Sequence, residues 1–455
     1  MATVKVPIHV HHGSMHWDDH VIMLGESLLK RWKIPANQPI ALQFGSFRFE
    51  VKVVPVANLN ALRLQQSLAE RLGIHHGITL AAVYRPSSRL LRLGPVISVL
   101  VSRINAAPDR PFGTMTPFCR ELTDACSKLG AFVYFFSPGQ MVSPAQSVEG
   151  WCYAGRWVKR KMPVGDIIYN RLTTRKLENK SGVQRFFQEA KSRYGSVLFN
   201  EKYLNKTEVF AALEQDAALR GYLPESHLFK NYAMLKSMCA RHGIVFLKPI
   251  TGSLGKGIIR ISRQSGASYV CHATHLNGVR RSSFDSLSAL FASIAGKMRS
   301  ARYQIQQGLR LIEVNGRPVD FRALVQKSGE GEWTITSMMA RIAGSNTFVS
   351  NLARGGTICT AAEAVSRSNV SSQQRASVVP RLRKAALTIA AGVEAQIQGH
   401  FAELGIDLAV DESGKVWLLE VNSKPSKDHN TPTEDNKLRP SVRMIVKYAH
   451  YLAKF

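Results

Sequence analysis

The chain has 455 residues, of which 45% are hydrophobic and 20% are charged. These values exclude wholesale disorder, and the length allows two to four globular domains. No apolar run reaches the roughly 18 residues needed to span a bilayer. The N-terminus lacks the apolar stretch of a signal peptide, and the six scattered cysteines contain no C-x-x-C pair. We therefore expect a cytoplasmic protein with reduced thiols, and neither disulfides nor a structural zinc site.

Charge is the one extreme feature of the composition. The chain carries 60 Lys and Arg against 32 Asp and Glu, a net charge of +28. The excess is spread along the chain, with +6 in residues 1–92, +8 in 93–200 and +14 in 201–455. Such a body attracts polyanions, whether nucleic acid, acidic peptide, anionic polymer or nucleotide. Net charge alone does not choose among them, and it fits general solubility with a phosphate-binding site equally well.

Three changes of pattern along the chain predict three domains, and together they indicate an α/β and α+β multidomain fold. Residues 1–92 alternate short apolar and polar runs, which predicts a small β-rich domain with one helix around Leu59–Leu72. Residues 93–199 contain apolar strands that begin at Pro95, Ala131 and Asp166, with an amphipathic helix over Phe118–Leu129. Fully apolar strands around a helix indicate a parallel, Rossmann-like βαβ unit. Residues 200–455 alternate helices and strands and carry the chemical motifs.

Two further patterns favour interpretations that involve no bound ligand. Histidines cluster near the N-terminus at His9, His11, His12, His16 and His20. They suit a solvated segment better than a metal site. The basic run that follows Trp157, Lys159–Lys161, suits a solvated loop better than a nucleic-acid patch.

The first chemical motif is a glycine-dense loop between two apolar strands, within Ile244–Ile261. It begins at Lys248-Pro249 and contains Gly252, Ser253, Gly255, Lys256 and Gly257. Glycines let backbone N–H groups surround phosphate oxygens, and lysines supply positive charge. Neither the Walker A nor the Rossmann spacing is present. The alternative is a glycine-rich hairpin without a ligand.

The second motif is a predicted β-hairpin within Phe401–Pro425, with its turn at 411–415. Asp407 and Glu420 are equidistant from the midpoint of the turn, so regular pairing places them opposite each other on one face. Asn422 shares that face because it follows Glu420 by two residues. Two carboxylates and an amide at one place suit Mg²⁺. The alternative is that the acids face water, but the apolar residues Leu418, Leu419 and Val421 indicate a buried strand, where unpaired acids are costly.

Arginines lie between and beyond these motifs. Asp320 and Arg322 occupy one face of an alternating strand, and Arg354 lies in the basic, glycine-rich stretch Ser350–Gly356. Both arginines could bind a phosphate group. Taken singly, each also fits a solvated position.

In this order, the motifs resemble those of the ATP-grasp superfamily over residues 200–455. The spacing of Asp407, Glu420 and Asn422 is similar to the magnesium hairpin of D-alanine–D-alanine ligases. Lys206 resembles the first ATP lysine, although Asn205 replaces the commoner Asp. Ile305–Leu309 resembles the hinge that holds adenine, with Gln306 where an acid is frequent, followed by Gln307 and Leu309. Ser350–Gly356 resembles a stretch of the glutamate-adding ligases.

The whole chain also resembles the YheC/YheD endospore coat-associated proteins. The resemblance is carried by Leu93–Ile97, Pro111–Gly113, Asp166–Arg171, Tyr222–Glu225, Lys248–Ile258 and Glu420–Pro425. It implies an ATP-grasp domain (200–455) preceded by a pre-ATP-grasp domain (93–199) and the N-terminal domain (1–92). It also implies a setting linked to sporulation and association with the spore coat, but it supplies no substrate.

The superfamily resemblance implies an ADP-forming ligase that joins a carboxylate to an amine through an acyl phosphate. ATP would be held by Lys206, Lys248, the loop residues Gly252, Ser253, Gly255, Lys256 and Gly257, and the hinge residues Gln306, Gln307 and Leu309. Mg²⁺ would be held by Asp407, Glu420 and Asn422. We expect Arg322 and Arg354 to be catalytic, by neutralising the departing phosphate. An acidic peptide or polymer is the candidate substrate. The alternatives are a non-catalytic ATP-binding spore-coat protein, a nucleic-acid-binding protein, or a kinase that stops at phosphoryl transfer.

Overall fold

The computed structural model describes residues 3–12, 18–36, 38–142, 147–250, 257–266, 268–275, 278–344, 355–427 and 438–455. Within these ranges the strands form a closed barrel followed by three open sheets. None of the described helices combines the length and the apolar character that a membrane span requires. All six cysteines lie within the described ranges, and none is bonded to another.

The first unit is a small barrel whose strands close in the order β1-β5-β2-β4-β3-β7-β6. Its elements are β1 (Val4–His11), β2 (Val21–Gly25), α1 (Glu26–Trp32), β3 (Pro39–Phe44), β4 (Phe47–Val56), β5 (Leu62–Gln65), α2 (Gln66–Leu72), β6 (Thr79–Arg85) and β7 (Leu90–Gly94). Alternating apolar residues such as Ile8, Leu42 and Val53 fill its core. The helix predicted around Leu59–Leu72 begins only at Gln66, because Leu62–Gln65 pair with β1 as a strand.

The second unit is a sheet in the order β11-β10-β9-β8-β12-β13. Its elements are β8 (Val96–Leu100), α3 (Thr116–Leu129), β9 (Phe132–Phe136), β10 (Ser147–Tyr153), β11 (Trp157–Pro163), β12 (Ile167–Asn170), α4 (Arg175–Glu178), α5 (Ser181–Tyr194) and β13 (Val197–Phe199). Strands β9, β8, β12 and β13 run parallel, which confirms the predicted βαβ unit. The basic run Lys159–Lys161 was wrongly predicted as a loop, since it pairs with Glu149–Trp151 of β10 as part of edge strand β11. Trp157, at the start of that strand, packs edge-on against Phe112 and Phe135.

The third unit is an antiparallel sheet in the order β14-β19-β15-β16-β17-β18. The chain reaches this sheet through α6 (Lys206–Glu214) and α7 (Ala217–Arg220), whose buried residues Leu213 and Leu219 pack in the core of the fourth sheet, described below. The elements of the third unit are β14 (Ser226–Leu228), α8 (Tyr232–Arg241), β15 (Ile244–Pro249), β16 (Ile259–Arg263), β17 (Tyr269–His275), β18 (Gly278–Phe284), α9 (Leu287–Ser300) and β19 (Tyr303–Gln307). Leu235 of α8 and Leu290 of α9 pack on one face of this sheet in a core with Leu247 and Ile305. The opposite face is left for the functional site.

The fourth unit is a sheet in the order β23-β22-β21-β24-β25, with β20 paired to β21. Its elements are β20 (Glu313–Val314), β21 (Arg317–Lys327), β22 (Trp333–Ile342), β23 (Thr357–Thr360), α10 (Ala361–Arg367), α11 (Ser372–Gln396), β24 (Glu403–Val410), β25 (Val416–Asn422) and α12 (Pro440–Ala453). Buried residues of α11, among them Leu382, Ile389 and Val393, cover one face of the sheet. The other face carries the polar residues of the site.

The last helix joins the second and fourth units. Val442 and Ile445 of α12 share a core with Phe118 and Leu122 of α3, and α12 also contacts β21. The proposed boundary at residue 92 falls inside β7. The proposed boundary at residue 199 coincides with the end of β13, although the chain returns to the second unit through α12.

Candidate functional site

A cavity of about 740 Å³ lies between the third and fourth sheets. One side is lined by residues of β15, β16 and β19, including Lys248 and Gln306. The other side is lined by the start of β21, the 411–415 turn and Leu419 of β25. Lys248 and the hinge residues therefore face the turn and Leu419 of the predicted hairpin across one cleft.

A row of charged side chains crosses the fourth sheet at this cleft. In the strand registers, Arg322 of β21 pairs with Asp407 of β24, and Asp407 pairs with Glu420 of β25. The guanidinium of Arg322 donates to both carboxylate oxygens of Asp407, with 2.8 Å between Nη2 and Oδ2. Asn422 lies two residues beyond Glu420, opposite Gly405. The hairpin thus brings the two predicted carboxylates together with the amide beside them.

The pairing of Asp407 with Glu420 depends on an irregularity in β25. Near the turn, Val410 pairs with Val416 and Leu408 with Leu418. The register then shifts by one residue, so that Leu419 is unopposed and Asp407 meets Glu420. Such a bulge redirects a side chain, and both Leu419 and Glu420 are half-buried while Leu418 and Val421 are buried. The predicted burial of the strand is confirmed at Leu418 and Val421, whereas Leu419 lines the cavity.

Arg341 of β22 joins the row from the neighbouring strand. Its Nε donates to Asp320 Oδ1 at 2.5 Å, and its Nη2 lies 3.1 Å from Asp407 Oδ1. Burial alone would raise the pKa of Asp407, but Arg322 and Arg341 outweigh it and lower that pKa to about 2. Burial raises the pKa of Asp320 to about 6 despite its contact with Arg341. Asp407 is therefore deprotonated and negatively charged at neutral pH, whereas Asp320 titrates closer to neutral pH.

Two lysines approach the same place, one from helix α6 and one from β15 of the third sheet. Lys206 is the first residue of α6, whose N-cap Asn205 accepts a hydrogen bond from the backbone of Thr207. Lys206 Nζ lies 3.4 Å from Glu420 Oε2. Lys248 Nζ donates to Oε1 of Gln306. Burial, and then the charge of Lys206, lowers the pKa of Lys248 to about 8, with Glu420 partly offsetting both effects.

The predicted hinge, Ile305–Leu309, lies next to Lys248. The backbone N–H of Gln307 donates to the carbonyl of Glu225 at 2.8 Å, and the N–H of Gly308 donates to the carbonyl of Ile244 at 2.8 Å. A Cβ at Gly308 would lie 2.3 Å from Cγ2 of Ile244, so only glycine fits between these strands. Gln306, Gln307 and Leu309 all line the cavity. The buried amide of Gln306 also donates to Ser226 Oγ at 2.8 Å, which fixes the oxygen that faces Lys248.

Several predicted residues lie outside the described ranges. These are Gly252, Ser253, Gly255 and Lys256 of the phosphate loop, together with Arg354. Gly257 is described and has φ of +71°, a backbone conformation that favours glycine. Of the N-terminal histidines, His16 is outside the described ranges, whereas His20 bonds the backbone carbonyl of Glu50.

The donor set can be tested against a magnesium ion. In the described part of the chain, no group of three or more His, Cys, Asp or Glu side chains has an arrangement that could hold a metal ion. Asp407 and Glu420 together with the Asn422 amide supply oxygen ligands, the kind that Mg²⁺ prefers, and a phosphate would complete the set. The carboxylates are paired with Arg322, Arg341 and Lys206. The donor chemistry fits Mg²⁺ if a polyphosphate draws those cations away.

A family model described as YheC/D like ATP-grasp matches residues 195–452. The chain belongs to this family. The endospore coat-associated protein YheD of Bacillus subtilis (strain 168) is 28% identical over 366 residues, which cover 80% of each chain. The endospore coat-associated protein YheC of the same organism is 20% identical over 313 residues, which cover 68% of this chain and 85% of the relative.

Solved structures match over a similar share of the chain. D-cycloserine synthetase DcsG shares 13% identity at a TM-score of 0.46, over 79% of this chain and 99% of that one. The family match confirms the predicted resemblance, and the fold is that of an ATP-grasp protein.

Sequence reasoning missed part of the site in this YheC/D-like ATP-grasp domain. Arg341 comes from a strand that showed no motif, and only its contacts with two carboxylates identify it. Glu313 also lines the cavity. The sequence signal that could have identified it is an acidic residue four positions after Leu309. Leu419 was predicted to belong to a buried strand, because the apolar composition of β25 does not reveal its bulge.

A buried ionic network holds the segment that follows Asn422. Lys424 Nζ donates to Glu178 of α4, and Lys427 Nζ donates to Glu403 of β24. Arg171, which follows β12, donates to the carbonyl of Pro425 at 3.0 Å and lies 3.4 Å from Glu403. Burial lowers the pKa of both Lys424 and Lys427 to about 8, although their carboxylate partners oppose the shift. The second unit thereby fixes the position of the strand end that carries Asn422.

Proposed function

We propose that the chain is an ATP- and Mg²⁺-dependent carboxylate–amine ligase. One observation carries the proposal: four charged residues from separate elements lie close together beside the cleft. Lys206 lies 3.4 Å from Glu420, and Glu420 lies opposite Asp407. Lys248 lines the cleft and is near enough for the charges of Lys206 and Glu420 to influence its pKa. Membership of an ATP-grasp family supports it. Such an arrangement stabilises transferring phosphoryl groups by position and charge, without a nucleophilic side chain.

In this proposal each part of the cleft has a separate task. The backbone of the hinge at Gln306–Leu309 and the apolar side chain of Leu419 hold adenine. Lys206, Lys248 and the loop from Gly252 to Gly257 hold the phosphates. Asp407, Glu420 and Asn422 would hold Mg²⁺, which neutralises charge on the β- and γ-phosphates when bound. Phosphates would compete with the carboxylates for Lys206 and Arg322, and that exchange frees carboxylate oxygens.

The proposed reaction has two steps. A substrate carboxylate oxygen attacks the γ-phosphorus, the bond to the ADP oxygen breaks, and an acyl phosphate forms. An amine nitrogen then attacks the acyl carbon, the carbon–oxygen bond to phosphate breaks, and the amine loses a proton. Arg322 and Arg354 are proposed to neutralise the departing phosphate. Arg322 holds Asp407 in the structure, so this role requires its guanidinium to turn toward the phosphate.

Product analysis tests the proposal. The wild type and Glu420→Ala are incubated with ATP, Mg²⁺ and pools of acidic peptides and amines, and the products are analysed by mass spectrometry. A ligase yields ADP, free phosphate and a product whose mass matches an amide, and Glu420→Ala abolishes all three. A stable phosphorylated product with no amide would identify a kinase and overturn ligation.

A second candidate is a spore-coat protein that binds ATP without turnover. Two observations favour it: the relatives are named endospore coat-associated, and both oxygens of Asp407 are held by arginine. Association with the coat is proposed for this chain under either function. Nucleotide binding with no product from any substrate pool, together with coat localisation of Glu420→Ala, would favour this second candidate.

A further inference from the structure

A row of basic side chains crosses the third sheet on the face that lines the cavity. Arg260 of β16 pairs with His272 of β17, and His272 pairs with Arg281 of β18. Phe246 of β15 pairs with Arg260 and continues the row toward the hinge. All four residues line the cavity. Arg260, His272 and Arg281 are called the cationic row below.

The cationic row is electrostatically unfavourable by itself. Arg260 and Arg281 lie on either side of His272, about 10 Å apart across two strand spacings, and their positive charges repel each other on one face of the sheet. Among the described residues, Arg260 and Arg281 form no ion pair, whereas Arg322 and Arg341 on the facing sheet are both paired with carboxylates. Burial lowers the pKa of Arg260, although the charge of Glu313 partly opposes this shift. Burial, and then both arginines, lowers the pKa of His272. An anion bound along the row would remove this cost.

The position of the row suggests an extended ligand. Lys248 lies two residues beyond Phe246 on β15, so the row begins near the proposed phosphate site. Neighbouring strands are about 4.8 Å apart, which places Arg281 roughly 14 Å from β15, on the edge strand of the sheet. The lining of the whole cavity is also rich in positive charge. It has Lys248, Arg260, Arg281, Arg310 and Arg317 against Glu313, Asp320 and Glu412.

We propose that the cationic row binds the side-chain carboxylates of an extended acidic peptide, whose reacting carboxylate lies in the cleft. This inference rests on the proposed ligase function and names its substrate class. The reaction consumes a carboxylate, and an acidic peptide supplies both that group and neighbouring carboxylates for the row. A nucleic acid offers no carboxylate to activate. The net charge of +28 favours the approach of such a peptide.

The chain offers a matched control for this site. Arg280 and Arg281 are adjacent and exposed on β18, but Arg280 pairs with Ala273, so it lies on the opposite face of the sheet. Arg280→Glu and Arg281→Glu make the same change in net charge at nearly the same place. General attraction to a polyanion would respond equally to both substitutions. Binding along the row responds to Arg281→Glu alone.

The test uses the full chain and a fluorescein-labelled peptide of ten glutamates, followed by fluorescence anisotropy at about 0.15 M salt. Arg281→Glu should weaken binding at least about fivefold, and Arg280→Glu less than about twofold. ATP affinity should be unchanged in both variants. Thermal unfolding of each variant confirms that it is folded.

Three results would overturn the proposal. Equal weakening by both substitutions would indicate general attraction. A loss of ATP affinity in Arg281→Glu, with peptide binding intact, would assign the row to the nucleotide. Tighter binding of a single-stranded DNA of equal charge, with the same dependence on Arg281, would identify a nucleic-acid surface. Peptide binding needs no catalysis, so failure of the ligase reaction with the expected binding pattern would reject the proposed function and leave the row as a peptide site.

Discussion

Asp407 lies opposite Glu420 because one unopposed residue, Leu419, interrupts the pairing of their strands. The pairing near the turn is centred on Ser413, and its regular continuation would place Asp407 opposite Leu419. The bulge moves Glu420 into that position and leaves Leu419 facing the cavity as well. One irregularity therefore supplies both a carboxylate pair and an apolar wall for the cleft.

The pKa of Lys248, lowered to about 8 by burial and by Lys206, predicts a pH-dependent affinity for ATP. Phosphates favour the protonated lysine, which predominates below pH 8 and is lost as the pH rises above it. ATP binding at pH 8 should therefore take up protons and should weaken at higher pH. Isothermal titration calorimetry in two buffers with different ionisation enthalpies measures the uptake. Lys248→Met should abolish it, and wild-type binding without uptake would contradict the assignment.

The contact between Lys248 and Gln306 predicts a shift of this pH dependence. Gln306→Glu places a negative charge beside the ammonium group, which favours its protonated form and raises its pKa. The pH midpoint of ATP affinity should move upward by roughly one unit. Affinity measured from pH 6.5 to 10 gives the midpoint. A midpoint unchanged by Gln306→Glu would show that another group controls the titration.

Arg341 predicts a stability effect, since it holds two buried carboxylates. Arg341→Met should reduce the free energy of unfolding by about 3–5 kcal/mol, because it leaves those charges undercompensated. The double variant Arg341→Met/Asp320→Asn should recover part of that loss, since it removes one of the carboxylates. Urea denaturation at pH 7 measures both values. Equal stability of the single and double variants would show that Asp320 is not held by Arg341.

The same cluster sets the direction of the pH effects. The folded-state pKa of Asp407 is lowered to about 2. Its contribution is fully present above the unfolded pKa near 4 and is lost as the pH falls toward 2. The folded-state pKa of Asp320 is raised to about 6, so this group favours folding more as the pH falls from 7 toward 4. The wild type should therefore gain stability relative to Asp320→Asn as the pH falls from 7 to 4, as measured by the difference between their unfolding free energies. A difference that stays constant over this range would contradict the raised pKa.

Patterns in the sequence were sufficient for much of the fold and for the neighbourhood of the described candidate residues, whose roles stay predictions. Periodicity located the parallel unit at β8 and β9, and spacing located Asp407, Glu420 and Asn422. Patterns along the chain could not reveal the bulge at Leu419, because β25 has the composition of an ordinary buried strand. They could not reveal Arg341 either, since its role comes from its position on β22 beside β21 and not from a local motif. The cationic row was also hidden, because its three members come from three separate strands.

The most direct test of the central claim is the effect of Mg²⁺ on the binding of a non-hydrolysable ATP analogue, measured by calorimetry in the wild type, Glu420→Gln and Glu330→Gln. Glu330 is an exposed carboxylate in the turn between β21 and β22 and serves as the control. We predict that Mg²⁺ tightens binding about tenfold or more in the wild type and in Glu330→Gln, and has little effect in Glu420→Gln. A full Mg²⁺ effect in Glu420→Gln would contradict the assignment of the metal to the Asp407–Glu420 pair.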